Sequence, residues 1–219
     1  MERAPLTRPL SRGFSADLGK SEMNKFAVLL ICLAGAASAQ EFPALYHVTG
    51  VEEGDVLNMR TRPTENGTVI GALGFDAEHI EVVEEDDGWG RVNVEGLSGW
   101  VPLDSMERQE GTELPAGYQF KCFGTEPFWS ATVVGENLSF TRPDDDDKAF
   151  KVGELSTAIS RDAPHALLGS KLGENVTLVL NHTQCTDGMS DYVFGFSGSV
   201  VIGGYDTQVY TGCCSLDMK

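Results

Sequence analysis

The chain has 219 residues, 41% hydrophobic and 22% charged, enough for one large domain or two small ones around at least one packed core. Its 16 Lys+Arg stand against 33 Asp+Glu, a formal net charge of −17, and a chain this acidic is repelled by nucleic acid and by anionic lipid. The 25 Gly and 9 Pro follow no period and helical heptads are absent, which excludes collagen-like and coiled-coil architectures.

Residues 1–22 carry four bases (Arg3, Arg8, Arg12, Lys20) and three acids (Glu2, Asp17, Glu22) without apolar periodicity. They are expected to be a disordered extension ahead of the true start at Met23, and the acids argue against a targeting presequence. Met23-Asn24-Lys25 is a short basic start, Phe26 to Ala37 is apolar, and Ala37-Ser38-Ala39 offers a small-x-small cleavage site. This layout predicts a signal peptide over 23–39, cleaved after Ala39, and a periplasmic or secreted product. The apolar run is well short of the ~20 residues a membrane helix needs, so no span is expected. Ile31 is too bulky for the position before a lipid-anchor cysteine, which disfavours lipidation at Cys32. Without residues 1–39 the chain keeps eleven basic and thirty acidic residues, so the acidity belongs to the exported product.

Residues 43–108 read as short strands separated by turns. Leu57 to Arg60, Val69 to Leu73, Ile80 to Val82, Trp89 to Val94 and Gly99 to Val101 are interrupted by Pro63 to Gly67, Asp86-Asp87-Gly88 and Glu95-Gly96. Five strands in so short a stretch predict a small β-barrel. Along the fourth, Val92 and Val94 take one face and Trp89, Arg91 and Asn93 the other. An aromatic plate beside a cation and an amide suits a peptide groove, which makes those three the candidate ligand-binding residues. Trp100 is expected to close a barrel end, and Glu52, Glu53, Asp55 and Glu84 to Asp87 to form a solvated surface.

A polar linker is expected over 109–116, and period-2 signals return in 117–219. Trp129, Ala131 and Val133 form one apolar face, Val176, Leu178 and Leu180 another, and Tyr192, Phe194 and Phe196 a third. Strands at this spacing without helices predict an antiparallel barrel or sandwich. Cys122, Cys185, Cys213 and Cys214 all fall here; an even count in an oxidising compartment predicts two disulfides. A bond between adjacent Cys213 and Cys214 is strained, and neighbours on a strand face opposite sides. Each should therefore take a different partner, Cys122 or Cys185, in either order. Zinc is disfavoured because there is no C-x-x-C and because His165 and His182 stand isolated.

Phe128 and Trp129 read as core. Asp187-Gly188-Met189-Ser190-Asp191 reads as a capped turn, since Asp and Ser bond nearby backbone amides, and lacks the spaced acids and bidentate Glu of a calcium loop. Asp144 to Asp147 is expected at an exposed hairpin tip. Glu126 and Asp191 could serve as an acid and base by residue type alone. There is no G-x-S-x-G, phosphate loop or H-E-x-x-H, so no enzyme, metal or cofactor is expected.

Leu57-Asn58-Met59-Arg60-Thr61-Arg62-Pro63, Val69-Ile70-Gly71-Ala72-Leu73, Gly88-Trp89-Gly90-Arg91-Val92 and Gly99-Trp100-Val101 together resemble the bacterial SH3-like (SH3b) domain. The resemblance implies a non-catalytic targeting or binding module of envelope proteins, with a peptide, often the peptidoglycan stem, as its ligand. Cys122-Phe123-Gly124-Thr125-Glu126-Pro127-Phe128-Trp129, Cys185 to Tyr192 and Gly212-Cys213-Cys214 are similar to motifs of a family of uncharacterised proteobacterial envelope proteins. That likeness singles out Glu126, Trp129, Asp187, Ser190 and Asp191 without assigning them a role. The combined reading is an all-β chain, a small SH3-like barrel followed by a second disulfide-stapled barrel or sandwich. Its expected function is that of an exported, non-enzymatic binding protein of the cell envelope. The alternative is an inhibitor or binder of a basic secreted enzyme such as a lysozyme, which a strongly negative protein would meet rapidly. A hollow second barrel would instead indicate a small-molecule carrier.

Overall fold

Alternating apolar residues and frequent turns yield strands and one short 3-10 turn throughout residues 42–116 and 119–216, the part of the chain that the computed structural model describes. These residues belong to one compact unit, Ala39–Lys219. The expected extension over 1–22 and the signal segment over 23–39 lie outside the described residues. No helix among the described residues is long and apolar enough to cross a membrane.

The first module is formed by β1 (Ala44–Val48), β2 (Val56–Arg60), β3 (Val69–Gly74), β4 (Ile80–Val82), β5 (Glu85–Asp86), β6 (Trp89–Val94), β7 (Leu97–Pro102) and β8 (Met106–Arg108). They make two antiparallel sheets, β4-β1-β8 and β3-β2-β7-β6-β5. Their inward residues, among them Tyr46, Met59, Val82, Val92 and Val101, form a hydrophobic core of their own. The β6–β7 hairpin turns on Glu95-Gly96 with positive φ at both residues, as a two-residue turn that follows the strand twist requires.

The second module comprises β9 (Gln119–Thr125), β10 (Phe128–Val134), β11 (Asn137–Thr141), β12 (Lys148–Val152), β13 (Ser156–Thr157), β14 (His165–Lys171), β15 (Glu174–Cys185), β16 (Phe194–Gly203) and β17 (Gln208–Ser215). Eight of these close a barrel in the order β12-β11-β10-β9-β17-β16-β15-β14, with β12 pairing back to β14 and β13 added beside β14. Successive neighbours are antiparallel. An eight-stranded barrel is just wide enough for its own side chains. Phe120, Trp129, Phe140, Phe150, Phe196 and their aliphatic neighbours fill it, so the interior is a packed core. The acidic run 144–147 lies exposed between β11 and β12.

Two disulfides staple the barrel. Cys122–Cys214 joins directly opposed residues of β9 and β17 inside it. Cys185–Cys213 reaches from the end of β15 across β16 to β17. The adjacent cysteines take different partners because successive residues of β17 face opposite sides of the barrel wall.

The modules meet through specific polar contacts. Glu81, only 5% exposed, accepts hydrogen bonds from the Ser215 hydroxyl at 2.6 Å and the Leu216 amide at 2.8 Å. Two bonds to a buried carboxylate compensate much of its lost hydration. Asn93 donates to the Val193 carbonyl at 2.8 Å and accepts from the Val193 amide at 3.2 Å. The Gly96 amide donates to the Tyr192 hydroxyl at 2.9 Å, and Gln184 to Glu84 at 2.7 Å. Residues 109–116, expected as a linker, are ordered against both modules. The Gln109 amide donates to the Leu45 carbonyl, and Leu114 is buried in the core of the barrel.

Candidate functional site

The face of β6 opposite Val92 carries Trp89, Arg91 and Asn93, but the fold divides them among three environments. Trp89, at the start of the strand, stands opposite Pro102 and Asp86. It is half-buried in the wall of a cleft of about 280 Å³ whose other walls include Glu52, Asp55, Asn58, Arg60 and Glu65. The Arg60 guanidinium is held there by the Gly67 carbonyl at 3.0 Å and Glu65 at 3.2 Å. Arg91 is engaged internally: it donates to Ser98 at 3.0 Å and to Glu84 at 2.9 Å, and its guanidinium lies 5.8 Å from the Trp100 ring centroid. Asn93 belongs to the seam between modules. Sequence reasoning missed Asn58 and Arg60 as wall residues of the Trp89 cleft. Their alternation with the buried Leu57 and Met59 was the available signal.

Around the barrel, the three motifs of the second module converge. β9 and β17 pair at Lys121–Phe123 against Cys213–Ser215. Just beyond, the two strands approach so closely that Gly124 and Gly212 have no room for a side chain. A Cβ on Gly124 would collide with the Trp129 indole nitrogen and lie 2.8 Å from the Thr211 carbonyl, and one on Gly212 would run into the Phe123 carbonyl. Trp129 is buried here, 6.0 Å from Phe140 and 5.9 Å from Tyr210 between ring centroids, and its indole N–H donates to the Thr211 carbonyl at 3.3 Å.

The loop after β15 folds back over this seam. The Cys185–Cys213 bond tethers it, and Thr125 Oγ1 donates to the Asp187 carbonyl at 2.9 Å. The Asp187 carboxylate caps the loop, accepting from the Met189 amide, the Ser190 amide and the Ser190 hydroxyl, each at 2.9 Å. Burial would raise the Asp187 carboxyl, but those bonds from Ser190 and Met189 outweigh it and hold the group below its ordinary value. The Ser190 hydroxyl also accepts from the Tyr192 amide at 3.1 Å.

Between the β9–β10 hairpin and this loop lies an open cleft of about 770 Å³, with Phe123, Thr125, Glu126, Phe128, Asp187 and Met189 in its walls. Of the five motif residues singled out in this module, Glu126 and Asp187 line the cleft, Trp129 supports it from the core, and Ser190 shapes the loop. Asp191 is exposed outside the walls, so the fold does not pair it with Glu126 there. Phe123, Phe128 and Met189 are wall residues that sequence reasoning did not single out as ligand-contacting. Their contribution depends on the loop folding back, which no local pattern encodes.

His165 and His182, expected to be isolated, are not. They project from adjacent strands β14 and β15, and their Nε2 atoms are 3.2 Å apart. The second nitrogen of His165 lies 2.9 Å from Thr157 Oγ1. His165 is 1% exposed, and burial, reinforced by His182, holds its pKa below the ordinary 6.5. Among the described residues, no group of three or more His, Cys, Asp or Glu is placed to hold a metal ion. The sign of the pH effect follows directly. The unfolded chain takes up this proton more readily than the folded one, so the contribution of His165 to stability is complete above pH 6.5 and is lost progressively as the pH falls below it. The melting temperature should fall between pH 7.5 and 5.5, and His165→Gln should reduce that fall. Parallel melting curves for the two proteins would refute the assignment.

An all-β chain with a filled, disulfide-stapled barrel docked to a small two-sheet module defines a class of modular β-protein with clefts on its outer surface. The family model of the bacterial SH3 domain matches residues 55–106, from just before β2 to the start of β8 in the first module. No curated protein and no solved structure matches the chain.

Proposed function

We propose that this chain is an exported, non-enzymatic binding protein of the cell envelope, whose SH3 module recognises a peptide or cell-wall component, such as the peptidoglycan stem, at the Trp89 cleft. The observation that carries the reading is the position of Trp89, half-buried in an open cleft of a bacterial SH3 domain. An indole in that setting offers a flat apolar surface with a polar edge, and Asn58, Arg60 and the surrounding carboxylates supply polar anchors. Export is supported by the two disulfides, which persist in oxidising compartments, and by the signal-like layout of 23–39. Binding rather than catalysis is supported by the use of the Asp187 carboxylate to hold its own loop and by the separation of Asp191 from the Glu126 cleft.

The test is co-sedimentation of the purified protein with purified peptidoglycan at moderate salt, because both partners are acidic and repel at low ionic strength. Trp89→Ala should weaken retention by about tenfold or more, as expected for a central aromatic anchor. Arg91→Ala should leave retention nearly unchanged, since that side chain is engaged within the protein. Equal retention of the wild type and Trp89→Ala would defeat the proposal.

A further inference from the structure

The second module has a site that this function does not use. We propose that the cleft between the β9–β10 hairpin and the 186–189 loop binds a basic, extended peptide segment through its Lys or Arg side chains.

Size and rigidity come first. About 770 Å³ falls within the range of sites that hold a ligand rather than a few waters. Its walls are fixed before any ligand arrives: the Cys185–Cys213 bond, the Asp187 cap and the Thr125 bond tie the loop to the hairpin and the barrel. A preformed cleft spares the ordering cost that a mobile loop would impose on binding.

The chemistry of the walls selects the ligand. Phe128 and Met189 line the cleft at 54% and 70% exposure, large apolar side chains left open to solvent. The charged residues in the same walls, Glu126 and Asp187, are both acids, and among the described residues no Lys or Arg lines the cleft. Lys and Arg side chains complement this pairing, with apolar stems to lay on Phe128 and Met189 and a cationic head to place beside Glu126. An aromatic face adds attraction for the cation, and the flexible thioether adapts to the stem. The chain's net charge of −17 draws basic partners towards it and repels nucleic acid and anionic lipid.

Continuity of the surface favours an extended segment over a single small cation. A smaller cleft of about 290 Å³ shares Phe123 and Asp187 with the first and continues to Tyr192 and Phe194 at the seam between modules. That second cleft sets Lys121 beside Glu81 and Asp187, and Arg142 adjoins Glu126 and Phe128 on their other side, so the cationic side chains of the ligand belong in the first cleft, where Glu126 and Asp187 are the charged wall residues.

The experiment measures fluorescence anisotropy of labelled hexapeptides of alternating Lys-Leu, Ser-Leu or Glu-Leu titrated with the purified, disulfide-intact protein. The Lys-Leu peptide should bind about tenfold or more tightly than Ser-Leu, and Glu-Leu more weakly than either. Glu126→Lys and Phe128→Ala, both at exposed positions, should each weaken Lys-Leu binding about fivefold or more. Asp162→Lys makes the same charge change on an exposed loop outside the cleft, and should alter it less than about twofold. Trp89→Ala should leave it unchanged, which separates this site from the SH3 cleft. Equal affinity for Lys-Leu and Ser-Leu would overturn the proposal. So would an equal loss in Asp162→Lys and Glu126→Lys, because the attraction would then come from the overall field.

Discussion

Replacing Cys122 and Cys214 together by Ala is expected to cost about 4.5 kcal/mol of stability. The bond closes a span of 92 residues, and the chain-entropy argument assigns a loop of that length about this value. The Cys185–Cys213 bond closes 28 residues and should be worth about 3.5 kcal/mol by the same reasoning. A domain has only about 5–15 kcal/mol in total, so a loss of this size removes a large share of it. Urea unfolding of the two double variants and the wild type checks the ranking. A Cys122/Cys214 variant as stable as the wild type would show that the barrel core alone suffices. The smaller bond should matter more for the 186–189 loop than for the core, because it tethers one to the other.

Trp129→Ala is expected to cost about 3–5 kcal/mol, the usual range for removing a large aromatic from a packed interior. The indole is buried against Phe140 and Tyr210, and its N–H satisfies the Thr211 carbonyl where β9 and β17 meet. Trp129→Phe keeps most of the apolar contact and loses the hydrogen bond, so its cost should be nearer 1–2 kcal/mol. Denaturant midpoints of the pair separate packing from hydrogen bonding. A cost below about 1 kcal/mol for Trp129→Ala would mean that the side chain does not hold the seam, contrary to its burial.

The strands of both modules were legible because period-2 alternation is a local property. Trp129, Ala131 and Val133 point inward for the same reason that they alternate with Ser130 and Thr132. The Asp187 turn was legible for the same local reason, since the carboxylate bonds amides two and three residues ahead. The histidine pair was not legible: His165 and His182 are 17 residues apart and meet only because β14 and β15 are antiparallel neighbours. Trp89, Arg91 and Asn93 were correctly placed on one face of β6, but alternation cannot say what that face meets. Asn93 meets Val193, 100 residues away.

By itself, then, the order of residues determined an all-β chain, two modules with separate apolar patterns, four paired cysteines and a bacterial SH3 signature, because each rests on spacing within a strand or turn. Which cysteine bonds to which, that the barrel is filled, that Glu81 and Asn93 bind the modules together, and that three distant motifs enclose one cleft were decided only by the tertiary structure. Those are contacts between segments far apart in the chain, and barrel closure and the folding back of the 186–189 loop bring them within reach.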